Sequence, residues 1–219
     1  WSKYPVETVV EADDRIELDY IGVSDLSGDY TAGYDTDIPA NIPIYVSNGT
    51  GNWSDVTKWI RLDGNPVPAG GPQGHIVQIR EGDVITMDRF RILSYRTQIF
   101  GRLEVGTQIG HNLGYVSGTG TLAFVNEKVF PGEYTDFLTC GTGGTVEFGG
   151  GSYDIPLFNS FSQVDDQFNN LVISGTGIKV FPDRDNIRIC NNLSVIETAT
   201  LKLEHFSRSN STYKFTTIG

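Results

Sequence analysis

Basic residues are scarce in this chain. Lysine and arginine together number 16 against 27 aspartates and glutamates, which gives a formal net charge of −11. A surface that binds nucleic acid or an anionic membrane needs a basic field opposite the phosphates, and this composition supplies none. The sequence also lacks an apolar run long enough to span a bilayer. We therefore expect neither a nucleic-acid partner nor direct membrane insertion.

Cysteine is nearly absent, since the chain has only Cys140 and Cys190. Two cysteines do not define a disulfide framework. The apolar run Asn169–Ser174 lies between them, so we expect them about two rungs apart in a stacked fold. At about 4.8 Å per rung, that separation exceeds the reach of a disulfide. The sequence predicts two buried free thiols.

Histidines are few and scattered, and the common catalytic motifs are missing. His75, His111 and His205 lie far apart, with no His-x-x-x-His or Cys-His pairing, so we expect no zinc site. There is no Gly-x-Ser-x-Gly motif, and no Lys-Ser/Thr follows the glycines at 118–120 to complete a phosphate loop. We predict no catalytic residue, no metal ligand and no cofactor.

Glycine, in contrast, is abundant, with 26 residues, and it punctuates short apolar runs. The runs start 14 to 26 residues apart and carry β-branched and aromatic residues: Thr121–Phe124, Thr145–Phe148, Leu171–Ser174, Ile187–Cys190 and Leu201–Glu204. Runs this short are typical of strands. Gly-Thr-Gly recurs at 118–120, 141–143 and 175–177, and Asn-Asn-Leu recurs 22 residues apart, at 169–171 and 191–193.

Recurring short strands predict a repeat fold. One such strand cannot bury its own apolar face, whereas stacked copies share a continuous core, and glycine and asparagine tolerate the left-handed corners of a coil. We predict an all-β chain with a right-handed parallel β-helix over residues 48–219; the alternative is an antiparallel β-sandwich. Because residues 215–219 resemble an interrupted strand, we expect the solenoid to continue beyond them.

Residues 1–47 show no repeat. The predicted strands Val6–Val10, Arg15–Ile21 and Ile42–Val46 are separated by an acidic, glycine-containing segment at 24–37. This part is either a β-rich cap over the end of the solenoid, where open strand edges invite aggregation, or the end of a preceding domain.

One series of motifs resembles a known family. The series comprises Gly51-Asn52-Trp53-Ser54-Asp55, Trp59, Pro68, His75–Ile79, Gly82–Asp88 and Gly101–Gly106, and later Gly144–Phe148 and Phe168–Ile173. It is similar to the opening of the eight-glycine domain and of related solenoids in large surface proteins exported by the type IX secretion system, including gliding-motility adhesins. The resemblance covers residues 49–203, departs from the pattern at 131–138 and 153–167, and implies an extracellular β-helical stalk or binding module without specifying a ligand.

Carboxylates are the side chains that could carry chemistry, because glycoside hydrolysis needs two carboxyl groups about 5 to 9.5 Å apart. The candidates are Asp165, Asp166, Asp183, Asp185 and Glu204. Asp183 and Asp185 could share one face of a strand, but Pro182 and Asn186 flank them and favour a turn. Asp183 with Asp185, or Asp35 with Asp37, could also form a weak surface calcium site.

Aromatic residues offer the other candidate surfaces. Trp53 and Trp59 could form a sugar platform, but we favour core packing at the first rung. The insertions at 131–138 and 153–167 are the expected place for recognition, because loops on a rigid solenoid usually carry binding. In the alternative, the aromatics in and beside them fold back over the coil: Tyr134, Phe137, Tyr153, Phe158, Phe161 and Phe168.

These observations favour a structural and adhesive module of a large secreted or cell-surface bacterial protein, possessing no catalytic activity. The expected partner is a surface polysaccharide or another protein of the cell surface or secretion machinery. The alternative is a carbohydrate-active β-helix enzyme whose carboxylates converge in a groove. Four Asn-x-Ser/Thr sequons matter only in a host that glycosylates them: Asn48, Asn52, Asn192 and Asn210.

Overall fold

The computed structural model describes residues 6–10, 15–18, 42–125, 132, 136–155, 166–181 and 187–203. The chain divides into two compact units, Trp1–Ala40 and Asn41–Gly219. In the first unit, strand β1 (Val6–Val10) pairs antiparallel with β2 (Arg15–Leu18). The division precedes the strand predicted at Ile42–Val46, so that strand belongs with the second unit and not with the N-terminal segment.

In the residues described for it, the second unit consists of short strands and a 3-10 turn, Val56–Lys58. In chain order the strands are β3 (Ile44–Ser47), β4 (Gly51–Asn52), β5 (Trp59–Arg61), β6 (His75–Ile79), β7 (Val84–Met87), β8 (Ser94–Ile99), β9 (Arg102–Val105), β10 (Tyr115–Ser117), β11 (Thr121–Val125), β12 (Thr145–Gly149), β13 (Tyr153–Asp154), β14 (Asp166–Ile173), β15 (Thr176–Phe181), β16 (Ile187–Val195) and β17 (Thr198–Leu203). Each of the five predicted runs overlaps one of these strands.

The strands stack into a parallel β-solenoid of about five turns. A seven-stranded sheet has the order β16-β14-β12-β11-β9-β7-β4, a five-stranded sheet β10-β8-β6-β3-β5, and a three-stranded sheet β13-β15-β17. Every pairing in the seven-stranded sheet is parallel. Among the described pairings of this unit, only β3 with β5 is antiparallel. The predicted solenoid is confirmed, and the sandwich alternative is wrong.

The core consists of apolar ladders that follow the strand register of the seven-stranded sheet. One ladder is Ile85, Leu103, Leu122, Val146 and Leu171, all fully buried. The next is Met87, Val105, Phe124, Phe148 and Ile173, also buried, with the Phe124 and Phe148 rings 5.4 Å apart. Burying each such side chain contributes about 1.5–3 kcal/mol. No strand could bury its inward residues alone, so stacking provides the core.

The repeated Gly-Thr-Gly motifs lie at turns of the coil. Gly118 and Gly120 connect β10 to β11, Gly175 connects β14 to β15, and Gly177 is the second residue of β15. Gly118 has a φ of 114°, and a Cβ there would lie 2.2 Å from the carbonyl oxygen of Ile99 on the previous turn. Only glycine permits both the backbone conformation and this close stacking.

A buried lysine fastens another corner. Lys179, in β15, is fully buried, and its Nζ donates to the carbonyl oxygens of Gly150, Ser174 and Thr176 at 2.8, 2.7 and 2.7 Å. Gly150 follows β12, whereas the other two carbonyls belong to the corner between β14 and β15. One ammonium group therefore ties successive turns together, and its three N–H donors are all used.

The two cysteines form a disulfide, which corrects the prediction of two free thiols. The Cα atoms of Cys140 and Cys190 are 5.3 Å apart. Cys140 does precede β12, two strands from β16 in the sheet, but it lies in a turn that folds back along β14. Gln167 Nε2 donates to the Leu138 carbonyl at 3.1 Å, and Asn169 Oδ1 accepts from the Gly141 N–H at 2.8 Å. This turn spans the intervening rung, which a count of rungs alone could not anticipate.

Candidate functional site

The outward face of the seven-stranded sheet carries two aligned rows of side chains. Strand residues alternate between the two faces of a sheet, so these rows alternate with the buried ladders. The first row is Thr86, Glu104, Ala123, Glu147, Val172 and Ser194. The second row is Val84, Arg102, Thr121, Thr145, Asn170 and Asn192. The rows divide into a charged cluster over β9–β12 and an uncharged depression over β12–β16.

Arg102 is the centre of the charged cluster. Its Nε donates to Glu104 at 2.8 Å, and its terminal nitrogens donate to both oxygens of Glu147 at 2.6 and 3.2 Å. Glu147 lies on β12, so the guanidinium crosses β11 over Ala123, which is 1% exposed. The small side chain of Ala123 leaves room for this crossing. Ser174 Oγ donates to Glu147 at 2.7 Å and completes the cluster.

The electrostatics of this cluster do not suit acid catalysis. Burial alone would raise the pKa of Glu147, but hydrogen bonds from Arg102 and Ser174, and the positive charge of Arg102, hold it below its usual value. The pKa of Arg102 is raised, chiefly through its hydrogen bonds to Glu147. A general acid in glycoside cleavage needs a raised carboxyl pKa. Glu104 and Glu147 thus form ion pairs and are poor candidates for a hydrolytic pair.

The depression beside the cluster is lined by uncharged groups. It has a volume of about 420 Å³ and is lined by Thr145, Asn170, Leu171, Val172, Asn191, Asn192 and Ser194. Asn170 Oδ1 accepts hydrogen bonds from the side chains of Asn191 at 2.9 Å and Asn192 at 3.2 Å. Both donors reach one acceptor because the register shifts on β16, where Phe168 pairs with Ile189 but Asn170 pairs with Asn192.

The disulfide to the turn before β12 lies next to this shift in register. Cys190 precedes the two asparagines and is bonded to Cys140. Asn169, the residue opposite the irregularity, is 4% exposed, and its Nδ2 donates to the Gly143 carbonyl at 2.5 Å. The two strands that carry the asparagines are therefore both tied to the turn before β12: β16 by the disulfide, and β14 by the Asn169 hydrogen bond.

The sequence carries one signal for this site, the Asn-Asn-Leu repeat, which by itself indicates only a recurring motif. The repeated Asn-Asn-Leu places Asn170 in register with Asn192 and Leu171 in register with Leu193. In the structure the repeat is therefore a true rung alignment, with leucine inward and asparagine outward. What the sequence did not show was that both asparagines of the second copy turn toward the first.

The predicted carboxylate sites cannot be compared with the structure. Asp35, Asp37, Asp165, Asp183, Asp185 and Glu204 lie outside the described residues, as do His205 and Asn210. The backbone of Asp166 begins β14, and its side chain is likewise outside the description. The catalytic alternative and the calcium expectation therefore both stay predictions.

Two of the three histidines make local contacts. His75 stacks on Tyr45 with ring centroids 5.0 Å apart, and burial, followed by the charge of Arg61, lowers its pKa. His111 Nδ1 accepts from the Ile92 N–H at 3.2 Å, and its Nε2 lies 2.7 Å from the Gln108 carbonyl oxygen. Within the described part of the chain, no group of three or more His, Cys, Asp or Glu side chains could hold a metal ion.

The candidate aromatic residues that the structure describes are packed inward. Trp53 and Trp59 are 0% and 4% exposed, with ring centroids 4.9 Å apart, which confirms the core interpretation over a sugar platform. Phe137, Tyr153 and Phe168 are also buried. These three aromatic side chains therefore cover the coil, as the alternative interpretation of the insertions predicts. Tyr134, Phe158 and Phe161 lie outside the described residues.

Comparison with known proteins returned no match, whether against family models, curated proteins or solved structures. In the described portion of the chain, no helix is long and apolar enough to cross a membrane.

Proposed function

We propose that this chain is a structural and adhesive module of a large secreted or cell-surface bacterial protein. It serves as a stiff stalk or surface-binding segment that contacts a polysaccharide, and it breaks no bonds. The resemblance to type IX secretion adhesins extends this proposal to a protein displayed on the cell surface, with gliding motility as one setting. Its contact surface is the outward face of the seven-stranded sheet.

The observation that carries the proposal is the continuous stacking of the seven-stranded sheet. All of its strands are parallel, and the five from β7 to β14 share unbroken apolar ladders. Bending such a stack would separate both backbone hydrogen bonds and core contacts at every rung. The Lys179 corner and the Cys140–Cys190 disulfide link strands of different turns. A fold reinforced in this way suits a spacer that must keep its length under load.

The outward face supports recognition over catalysis. Its most buried carboxylate, Glu147, is neutralised by Arg102, and its pKa is lowered and not raised. The neighbouring depression presents amides and hydroxyls, which bind ligands by hydrogen bonds without reacting with them. The disulfide supports an extracellular location, because disulfides persist in oxidising compartments.

The proposal is tested by incubating the whole chain with a panel of insoluble neutral and acidic polysaccharides. Bound protein and newly released reducing or unsaturated chain ends are measured in the same tubes, with calcium and with chelator. We expect binding without new chain ends. New chain ends that vanish in Asp183→Asn or Asp166→Asn would show an enzyme and would overturn the proposal, and an absence of binding to every polymer would remove its adhesive part.

A further inference from the structure

We infer that the asparagine-lined depression on β12, β14 and β16 is a subsite for a neutral polysaccharide. This inference rests on the proposed function and specifies the ligand class and the residues of the same face. The depression has a volume of about 420 Å³, which lies in the range of about 300–1,000 Å³ found for small-ligand sites. That volume suits a short segment of a sugar chain.

The polar groups of the depression are matched to hydroxyl groups. Asn170 Oδ1 is occupied by the N–H groups of Asn191 and Asn192. That arrangement leaves the amide nitrogen of Asn170 as a donor and the oxygens of Asn191 and Asn192 as acceptors, because each amide has two donors and one oxygen with two lone pairs. Among the described residues, the structure records no other side-chain hydrogen bond for these three amides. Sugar hydroxyls both donate and accept, so they can use both kinds of group.

The other lining residues of the depression add an apolar contact and hydroxyl groups. Val172 supplies a small apolar surface on which the C–H face of a sugar ring can lie, and Thr145 and Ser194 add hydroxyls. This mixture of apolar contact and a few placed polar groups is usual for ligand sites. None of the seven lining residues is charged.

The absence of charge selects against acidic polysaccharides. A uronate or sulfate group is best held by a cation with free N–H donors. Within the two outward rows, Arg102 is the cation, and it is already paired with Glu104 and Glu147. The chain as a whole carries a net charge of −11, so a polyanion would be repelled and not attracted. The favoured ligand is therefore a neutral, hydroxyl-rich chain.

The inference is tested by calorimetric titration of the full chain with neutral hexasaccharides of β-linked glucose, mannose and galactose. A hexasaccharide of galacturonate serves as the acidic comparison. Protein should be made in a host without N-glycosylation, because Asn192-Leu193-Ser194 is a sequon. Asn170→Asp is the main variant, since its carboxylate still accepts from Asn191 and Asn192 while losing the N–H donors. Asn192→Ala is the second variant, and Asn65→Ala, on an exposed turn, is the matched control.

We expect at least one neutral hexasaccharide to bind, and its affinity to fall at least tenfold in Asn170→Asp and Asn192→Ala but not in Asn65→Ala. Stronger binding of the galacturonate, equal binding by all variants, or no neutral binding would each overturn the inference. These outcomes are separate from failure of the proposed function, which is decided by polymer adhesion and chain-end release. Circular dichroism of each variant distinguishes a lost contact from a lost fold.

Discussion

Charged side chains in this solenoid serve as ties between turns. Lys179 and Arg102 each contact groups from more than one turn of the coil, the first inside the core and the second on the outer face. Burying a charge is costly unless hydrogen bonds compensate it, and here each cation is surrounded by oxygen acceptors. The two residues lead to different predictions, because Lys179 is closed from water, whereas Arg102 is paired with the carboxylate of Glu147, whose pKa is lowered.

Replacing Lys179 by methionine should lower the free energy of unfolding by about 3 kcal/mol, because it removes three hydrogen bonds from the ammonium group, one of them to the buried Ser174 carbonyl. Methionine preserves most of the side-chain volume, so the loss reports the ammonium contacts. Arg188→Met, at an exposed position on β16, is the control and should change stability by less than about 0.5 kcal/mol. Urea unfolding of both variants measures the difference. A Lys179→Met variant as stable as the parent would show that this corner needs no ammonium.

Glu147 should make the free energy of unfolding depend on pH in the acidic range. Its pKa in the folded chain is below the ordinary value of 4.5, so its carboxylate stabilises the fold fully above that pH. The contribution should fade as the pH drops from about 4.5 through the lower folded-state pKa, because the unfolded chain takes up the proton first. Glu147→Gln should cost roughly 2 kcal/mol at pH 7 and should lose less stability between pH 6 and pH 3 than the parent does.

The matched control for this measurement is Glu81→Gln, at an exposed turn position. It should follow the parent's pH dependence closely, since an exposed carboxyl gains little on folding. An identical acid dependence in the parent and in Glu147→Gln would show that the Arg102 cluster does not contribute to stability.

At the scale of elements, the corners and the turn before β12 decide how the strands stack. Gly118→Ala should destabilise the chain by about 3 kcal/mol or more, because it adds a backbone strain to a steric overlap with the Ile99 carbonyl. Gly49 also has a positive φ, of 86°, but nothing lies within 4 Å of a Cβ there. Gly49→Ala should therefore cost only about 1 kcal/mol. Equal losses in chemical denaturation would contradict close stacking at Gly118.

The disulfide should contribute both stability and the arrangement of the depression. Its cysteines are 50 residues apart, and closing a loop of that length is worth about 4 kcal/mol in the chain-entropy model. Cys140→Ser with Cys190→Ser should lose that amount in urea unfolding and should also weaken neutral hexasaccharide binding severalfold. Reductant should have the same effect on the parent and none on the double variant. Unchanged binding after reduction would show that Asn191 and Asn192 are held without the bond.

A strand could be predicted from the sequence where its own residue pattern is enough to specify it. Runs such as Thr121–Phe124 and Thr145–Phe148 were identified because apolar alternation and glycine corners are local signals. The Asn-Asn-Leu repeat coincides with the register between β14 and β16. The path of the turn around Cys140 could not be predicted, because it depends on hydrogen bonds to Asn169 and Gln167, which lie more than 20 residues later.

For the whole molecule, the fold was more accessible to sequence reasoning than the site. A solenoid repeats its constraints at every turn, so many weak signals agree. A recognition surface is formed once, by the lateral alignment of single residues on successive strands. The sequence directs attention to the insertions at 131–138 and 153–167, whereas the described depression lies on the seven-stranded sheet, at Thr145, Asn170 and Asn192.

The measurement that tests the central claim most directly is an amide NMR titration of the full chain with the neutral hexasaccharide that binds best. The account predicts that shift changes cluster at Thr145, Asn170 and Asn192, on adjacent strands of the seven-stranded sheet. They should be absent from Tyr95, which is 66% exposed on the five-stranded sheet. Shift changes centred on Tyr95, or spread without a cluster, would contradict the claim that the binding surface of this module is the asparagine-lined depression.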